Sequence, residues 1–392
     1  MAHPLTDQVK ALCPELPPHV LRNLLITSEA ISLAGTTNLA VAKDKVPQAI
    51  GTAEALLTNP ASNYQRLMRF FRDGVNLWKV ELHQCLQQIT LATIGNAPAK
   101  VLKRVKHLTL DGSKWKSRGD KIQFLTLCVV VDNVALPVAS QDIAKLGHSS
   151  QDERSDFLDE AASHLNLEGM ILLGDREYVG IKWFKALKKK RKIDFVVRLK
   201  KGIYHEQINS AKGKTWMELH EKLVRCKKCK LVSKVVELGG ETYRYIIVRN
   251  PKADPPDEDD YVYFLTSLNN ARFAAAQYST RWQIEVTFKH LKSNGFDLEK
   301  MRLEGTDKRE LMMAILSMLF AIMVHEGRMF YRKKPSARQT KMDHQRGKIT
   351  LVCSVFRQGY AITKAKLQNI GHLFKYIGRV LNKAKPLVWS HV

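Results

Sequence analysis

The sequence predicts an α/β protein in which a mixed β-sheet is flanked by helices. Apolar residues recur at helical spacing over roughly the first hundred positions, and the period then changes to that of strands. Short β-rich runs next alternate with helical segments as far as residue 199. A chain of 392 residues, 45% hydrophobic and 26% charged, can bury a sizeable core and is expected to form several domains.

The first region, residues 1–105, is predicted to be helical. Residues 20–33 and 62–77 carry apolar positions near the helical period. Between them, residues 36–38 (Thr-Thr-Asn) are expected to cap a short helix, and Ser62 with Asn63 to cap the second long one.

The second long helix presents Arg66 and Arg69 on an Arg-, Gln- and Asn-rich surface. Such a helix after a short one is typical of a helix-turn-helix, whose second helix enters the DNA major groove. A plain helical bundle with a solvated arginine face fits the same pattern.

Residues 106–199 carry the pattern of the mixed sheet. The predicted strands are residues 107–111, 123–131, 134–140, 169–174 and 194–199, and the predicted helices are 151–165 and 183–187. Asp132 and Asn133 form a typical hairpin turn between two of these strands.

The remaining chain divides into three further regions. Residues 200–266 are predicted to be a β-rich insertion, with Gly239 and Gly240 at a hairpin turn. Residues 267–330 return to helices, one of them running from 271 to 294. Residues 331–392 form a basic and mainly helical C-terminal region.

Charge is the first indication of function. Lys and Arg number 63 against 38 Asp and Glu, a formal balance of +25. Nucleic acid is the commonest partner of such a chain, although a solubilising surface or an anionic membrane surface is compatible with the charge alone. The run Lys188 to Lys192 is interpreted as a DNA-facing patch, or otherwise as a solvated helix end.

Other classes of protein are excluded. Six scattered cysteines give no disulfide framework, and the N-terminus resembles no signal peptide. The longest apolar run, residues 311–324, is too short to span a bilayer and is expected to be core. Cys226 and Cys229 form a single CxxC without a convincing second ligand pair, so zinc is not expected. We expect a cytoplasmic protein.

Three carboxylates are the candidate catalytic residues. Asp111 and Asp175 each follow a predicted buried strand, and sites in open α/β sheets lie at such strand ends. Glu285 lies on the helix 271–294. Three converging carboxylates repel one another unless a cation neutralises them, and two Mg²⁺ ions would suit in-line phosphoryl transfer.

The helix that carries Glu285 supplies matching cations. At 100° per residue, Tyr278, Arg281, Glu285 and Lys292 share one narrow stripe. Arg281 and Lys292 are suited to hold phosphate oxygens. An ordinary helix surface, with Arg281 and Glu285 as an i, i+4 pair, fits the same spacing.

These residues resemble a known family. The pattern Tyr278-x2-Arg281-x3-Glu285-x6-Lys292 resembles the Tyr-Arg-Glu-Lys signature of DDE transposases from bacterial insertion sequences, in the IS-four group. The resemblance covers nearly the whole chain. It implies an RNase H-like catalytic domain interrupted by the β-rich insertion.

The two aspartates fit the same resemblance. Asp175, within the run Gly-Asp-Arg-Glu-Tyr at 174–178, resembles the family's second aspartate, and Asp111 stands where the first belongs. The family often has a hydroxyl residue directly after the first aspartate, whereas this chain has Gly112 and then Ser113. Asp120 is the nearest competitor, but it follows a glycine in a predicted loop.

The resemblance implies a mechanism. Asp111, Asp175 and Glu285 would bind two Mg²⁺ ions, with Mn²⁺ tolerated. The enzyme would cleave DNA at the inverted repeats of its own element, and the freed 3′-hydroxyl would attack target DNA. A homodimer would act on paired ends, with residues 331–392 as part of its interface, in a bacterial nucleoid-associated setting.

The resemblance also implies DNA contacts. Tyr278, Arg281 and Lys292 would hold the end DNA. Arg176 would contact a phosphate or pair with Glu177. Trp216 would hold a flipped base, or would be a buried anchor of the insertion. Two other functions compete with an active transposase: a catalytically inactive, transposase-derived DNA-binding protein, and an RNase H-like nuclease without strand transfer.

Overall fold

The computed structural model describes residues 13–117, 120–145, 147–226, 228–249, 261–332, 340–343 and 348–383. Eight of its strands are β1 (His107–Ser117), β2 (Asp120–Val131), β3 (Val134–Asp142), β4 (Ile171–Gly174), β5 (Asp194–Leu199), β6 (Leu231–Leu238), β7 (Glu241–Arg249) and β8 (Tyr261–Thr266). They form one mixed sheet in the order β3-β2-β1-β4-β5-β8-β7-β6. The predicted α/β class is therefore confirmed.

The central strands β1, β4 and β5 are parallel, and every other pair of neighbours is antiparallel. Asp132 and Asn133 turn β2 into β3 with φ of 47° and 59°. Positive φ at both central residues is typical of a two-residue hairpin turn, because the twist of such a turn matches the twist of the strands. The predicted hairpin turn at Asp132 and Asn133 is therefore confirmed.

The β-rich stretch after residue 200 continues the central sheet. β8 pairs antiparallel with β5, with Val197 opposite Leu265, and β7 and β6 follow outward. Two short helices, α9 and α10 (His205–Ser210 and Trp216–Arg225), precede these strands. The five-region division of the chain stays a prediction.

The N-terminal helices are α1 (Pro18–Ala34), α2 (Leu39–Ala42), α3 (Val46–Ile50), α4 (Pro60–Leu77), α5 (Lys79–Gly95) and α6 (Ala99–Leu102), with 3-10 turns at Lys43–Lys45 and Glu54–Leu57. Asn38 caps α2 by accepting a hydrogen bond from the Ala40 amide, as predicted. The predicted cap of α4 at Ser62 and Asn63 is wrong. Asn59 caps this helix instead, because Pro60 takes the first helical position, where its fixed φ is favourable.

Two helices lie within the first part of the sheet region, α7 (Gln151–His164) and α8 (Ile181–Lys185), and a π-helical turn at Ala186–Lys190 follows α8. The later helices are α11 (Ala271–Tyr278), α12 (Trp282–Ser293), α13 (Thr306–Phe330), α14 (Val355–Lys366) and α15 (Ile370–Lys383), with 3-10 turns at Ser279–Arg281 and Leu298–Lys300. A small hairpin of β9 (Thr340–Asp343) and β10 (Lys348–Leu351) precedes α14.

The long helix α13 is the core helix, and nearly all of its middle residues are buried. In the described part of the chain, α13 is the one helix that is long and apolar enough to cross a membrane. The helices over Pro18–Ala34 and Leu39–Ile50, which are bent against each other, would add a second candidate if they are taken together as one membrane span. Because 78% of the apolar window of α13 is buried against other elements, its apolar character has a packing role.

Two glycines let α14 approach α13 closely. A Cβ on Gly327 would lie 1.9 Å from the carbonyl oxygen of Val355, and a Cβ on Gly359 would lie 1.6 Å from that of Met323. A disulfide joins Cys13, which precedes α1, to Cys85 of α5. α13 packs against α14 and α5 and also against β3, so it joins these helices to the sheet.

Candidate active site

The parallel pairing of β1 and β4 brings the two aspartates to one edge of the sheet. Thr109 lies opposite Leu173, so Asp111 and Asp175 each come two residues beyond the same rung. Asp111 Oδ1 accepts a hydrogen bond of 2.8 Å from the amide of Gly112. Asp175 directly follows the buried strand β4, as predicted. The prediction that a strand ends at Asp111 is wrong, because residues 112–117 continue β1 by pairing with β2.

The helix that carries Glu285 differs from its prediction. A single helix over 271–294 is wrong: α11 and α12 are separated by a 3-10 turn at Ser279–Arg281. Because a 3-10 turn holds three residues rather than 3.6, it rotates Tyr278 relative to Glu285 and alters the predicted stripe. Tyr278 is half-buried against Phe264, with ring centroids 4.6 Å apart, and its hydroxyl donates to Asp175 Oδ1 at 3.4 Å.

Arg281 joins the sheet and helix parts of the site. Its Nη1 lies 3.5 Å from Asp111 Oδ2, and its Nη2 donates to Glu285 Oε1. The side chain of Arg281 is only 12% exposed, against 18% for Asp111 and 33% for Glu285. The i, i+4 pair expected of an ordinary helix surface is thus present, and the same guanidinium also reaches the sheet.

The neighbouring carboxylates repel one another, and this repulsion changes their pKa values. Burial raises the pKa of Asp111 to about 7; Arg281 and the Gly112 amide oppose this shift, and Glu177 and Asp175 add to it. Burial alone would lower the pKa of Arg281, but Tyr278, Asp175, Glu285 and Asp111 reverse this effect and raise it. The site therefore favours a cation.

Two neighbours of the site were not predicted as such: Glu177, which the sequence suggested only as a partner of Arg176, and His148. Glu177 lies close to Asp111, with its Oε1 3.7 Å from the position of a Cβ on Gly112. A hydrogen bond of 2.7 Å joins Glu177 Oε2 to His148 Nδ1, and His148 is largely exposed. No sequence signal pointed to His148, which lies on the loop after β3. Glycine at 112 avoids a close contact, since a Cβ there would lie 3.3 Å from Gln123 Nε2.

The remaining cations of the predicted site are more peripheral. Lys292 pairs with Glu299 at 2.9 Å and lies 5.8 Å above the ring of Trp115, farther along β1 than Asp111. Arg176 is exposed beside Asp175. Its predicted alternative partner, Glu177, is bonded to His148.

Arg66 and Arg69 lie on α4 and line a cleft of about 420 Å³ together with Arg22 of α1. Burial, Arg22 and Arg69 lower the pKa of Arg66. Three arginines around one cleft suit an anionic partner, and Arg22 is the member that the sequence did not suggest.

Trp216 begins α10 and is held by internal contacts. Its indole N–H donates to the hydroxyl of Tyr245 at 2.9 Å. Its ring lies 4.2 Å from that of His205 and 5.3 Å from that of His220. These contacts favour an anchor of this region over the base-holding role.

Within the described residues, no group of three or more His, Cys, Asp and Glu side chains is arranged to hold a metal ion. Arg281 lies between Asp111 and Glu285, where a shared cation would lie. Cys226 is exposed, and the thiol of Cys229 donates to the carbonyl oxygen of Leu231.

One protein family, one sequence comparison and one solved structure describe what this chain is similar to. The family described as Transposase DDE domain matches residues 99–323, more than half of the chain and a range that includes Asp111, Asp175 and Glu285. No curated protein sequence matches. A cryo-EM structure of the piggyBac transposase synaptic complex with hairpin DNA is similar at 11% identity and a TM-score of 0.43, over 92% of this chain and 76% of that one. By the family match, this chain belongs to the DDE transposases.

Proposed function

We propose that this chain is the transposase of a bacterial insertion sequence of the IS-four group, which excises and integrates its own element. The main support for this proposal is that Arg281 contacts both Asp111 and Glu285. In addition, the Tyr278 hydroxyl donates a hydrogen bond to Asp175. One short helical segment thus joins all three acids. Membership of the DDE transposases supports this proposal, and DNA cleavage followed by strand transfer is the reaction that we infer.

An RNase H-like catalytic domain is part of this proposal. It is supported by the sheet, in which parallel β1 and β4 carry the two aspartates at one edge and antiparallel β2 and β3 lie beyond β1. The strands β6 to β8 lie between β5 and the segment with Glu285, where the resemblance expects an insertion.

Transposases of this family generally use divalent metals, and the donor set fits Mg²⁺ or Mn²⁺. Asp111, Asp175 and Glu285 supply hard carboxylate oxygens, and burial with like-charge neighbours raises the pKa of Asp111, a condition that a cation relieves. Two bound ions would stabilise the attacking and leaving oxygens of an in-line displacement at phosphorus.

The side chains of this chain have separate tasks in the proposal. Arg281 leaves at least one carboxylate and turns its planar guanidinium to the scissile phosphate, which it can bind in bidentate fashion. Tyr278 orients Asp175 through its hydroxyl. Lys292, farther along β1, binds the DNA backbone away from the reacting atoms.

The partners are proposed from the family and the charge. Residues 1–105 bind the terminal inverted repeats through the cleft of Arg22, Arg66 and Arg69, and two copies of the chain hold paired ends. Residues 331–392 contribute to that interface, in a cytoplasmic, nucleoid-associated protein.

An excision assay tests the proposal. A marker flanked by the DNA that borders this gene is supplied with wild type, Asp175→Ala or Glu285→Ala in trans, and Glu237→Ala, on the exposed face of β6, is the matched control. Excision by wild type and the control but by neither site variant is expected. No excision by wild type, with binding of the same ends retained, would instead identify a DNA-binding derivative.

A further inference from the structure

A small pocket lies between α13, α14 and α15, and its lining shares no residue with the candidate active site. Its volume is about 250 Å³. Pockets that take drug-sized ligands are larger, at roughly 300–1,000 Å³. A ligand of a few heavy atoms is therefore the size that this pocket can hold.

Two buried hydroxyls line this pocket without a partner among the described residues. Thr363 is 1% exposed and Tyr376 is 6% exposed, and neither hydroxyl makes a hydrogen bond within that part of the chain. A buried threonine of a helix can donate to the carbonyl oxygen four residues earlier, as Thr90 and Thr93 of α5 do. Thr363 does not, so its hydroxyl is available to a ligand. A buried hydroxyl that is left unpaired destabilises the fold, and an acceptor in the pocket would remove that penalty.

Basic residues of α15 line the same pocket. His372, Lys375 and Arg379 are exposed, and with Tyr376 they recur at spacings of three and four residues. This spacing places the four side chains on one face of the helix. One face of α15 therefore offers an anion a phenol hydroxyl and three basic groups.

The charge of the pocket favours an anion. Of the described residues that line it, Glu326 alone carries a carboxylate, and that carboxylate pairs with Lys366 at 2.9 Å. Lys375 and Arg379 therefore leave the pocket positively charged. Burial raises the pKa of Tyr376, Glu326 adds to this shift and Arg379 opposes it. The tyrosine hydroxyl thus keeps its proton and can donate it to an anion.

We propose that this pocket binds one phosphate group, either as free phosphate or as part of a DNA backbone. Some oxygens of a phosphate can accept hydrogen bonds from Thr363 and Tyr376, while others bind Arg379 in bidentate fashion. A carboxylate has only two oxygens, both in one plane, and would leave some of these donors unpaired. The inference does not rest on the proposed function, because these residues lie outside the site of the three carboxylates.

Removal of the two hydroxyls tests the pocket without damage to the fold. Thr363→Val and Tyr376→Phe, alone and combined, lose a buried group that has no partner among the described residues, so the free energy of unfolding should not fall. Arg379→Gln removes one cation, and Arg357→Gln, an exposed change on α14, is the control. Each full-length variant is titrated calorimetrically with inorganic phosphate. A duplex of unrelated sequence is titrated separately over a range of NaCl concentrations.

We expect the double variant and Arg379→Gln each to weaken the binding of inorganic phosphate about 10-fold relative to the control. If the pocket holds a DNA phosphate, the same variants also weaken duplex binding, and Arg379→Gln lowers its salt slope by about one. If the pocket holds free phosphate, duplex binding stays that of the control. Variants that weaken the binding of neither probe would overturn the proposal. Neither probe requires end recognition or cleavage, so failure of the proposed function would not alter these outcomes.

Discussion

Arg281 on the helical segment lies 3.5 Å from Asp111 on β1, although 169 residues of chain separate them. The same guanidinium bonds Glu285 one turn later. A buried arginine shared by two carboxylates links the position of the helix to that of the sheet. Both the fold of the site and its charge balance therefore depend on one side chain.

Arg281→Ala should slow DNA cleavage by about two orders of magnitude, which is typical when one donor to the reacting group is lost. Arg281→Lys should recover little of this, because a single ammonium cannot bind two oxygens in a planar fork. Single-turnover cleavage of end DNA measures both variants. Arg272→Ala, an exposed change on α11, is the control, and Arg281→Ala cleaving as fast as that control would refute the role.

Glu29 should make the protein more stable at acid than at alkaline pH. It is fully buried in α1, neither carboxylate oxygen has a hydrogen-bond partner within the described residues, and burial raises its pKa to about 8. The unfolded chain releases this proton near pH 4.5, whereas the folded chain keeps it until about pH 8. Stability therefore falls as pH rises between these values, by on the order of 4 kcal/mol.

Glu29→Gln should remove most of that pH dependence, since the amide does not titrate. Urea unfolding at pH 5 and pH 8 gives the two free energies of unfolding for wild type and variant. Glu237→Gln, an exposed change, should keep the slope of wild type. If the free energy of unfolding of Glu29→Gln falls between pH 5 and pH 8 as much as that of wild type, Glu29 is not the cause of the pH dependence.

Gly359→Ala should destabilise the fold by about 3 kcal/mol or more, because its methyl group would collide with the backbone of α13 at Met323. Gly371→Ala near the start of α15 is the control, since its nearest neighbour is the flexible side chain of Asn369. Thermal unfolding compares the two variants. Equal melting temperatures of the two variants would contradict the prediction, because they would show that α13 and α14 can move apart without loss of stability.

The sheet and the closeness of its two aspartates could be predicted from the sequence. Asp111 and Asp175 end runs of buried residues, and parallel strands bring such ends together. The 3-10 turn before Trp282 was not predictable, because residues 271–294 read as one helix and the turn serves contacts with distant β1 and β4. His148 was also missed, since its bond to Glu177 depends on the path of the loop after β3.

We propose that Asp111, Asp175 and Glu285 form one catalytic site. The most direct measurement is the cleavage rate of labelled end DNA with Mg²⁺ by wild type, Asp111→Asn, Asp175→Asn and Glu285→Gln, beside the exposed control Asp156→Asn. Each site variant should bind the ends at least as tightly as wild type and cleave them slower by about three orders of magnitude or more. Cleavage at the rate of the control by any one of the three would contradict the shared site.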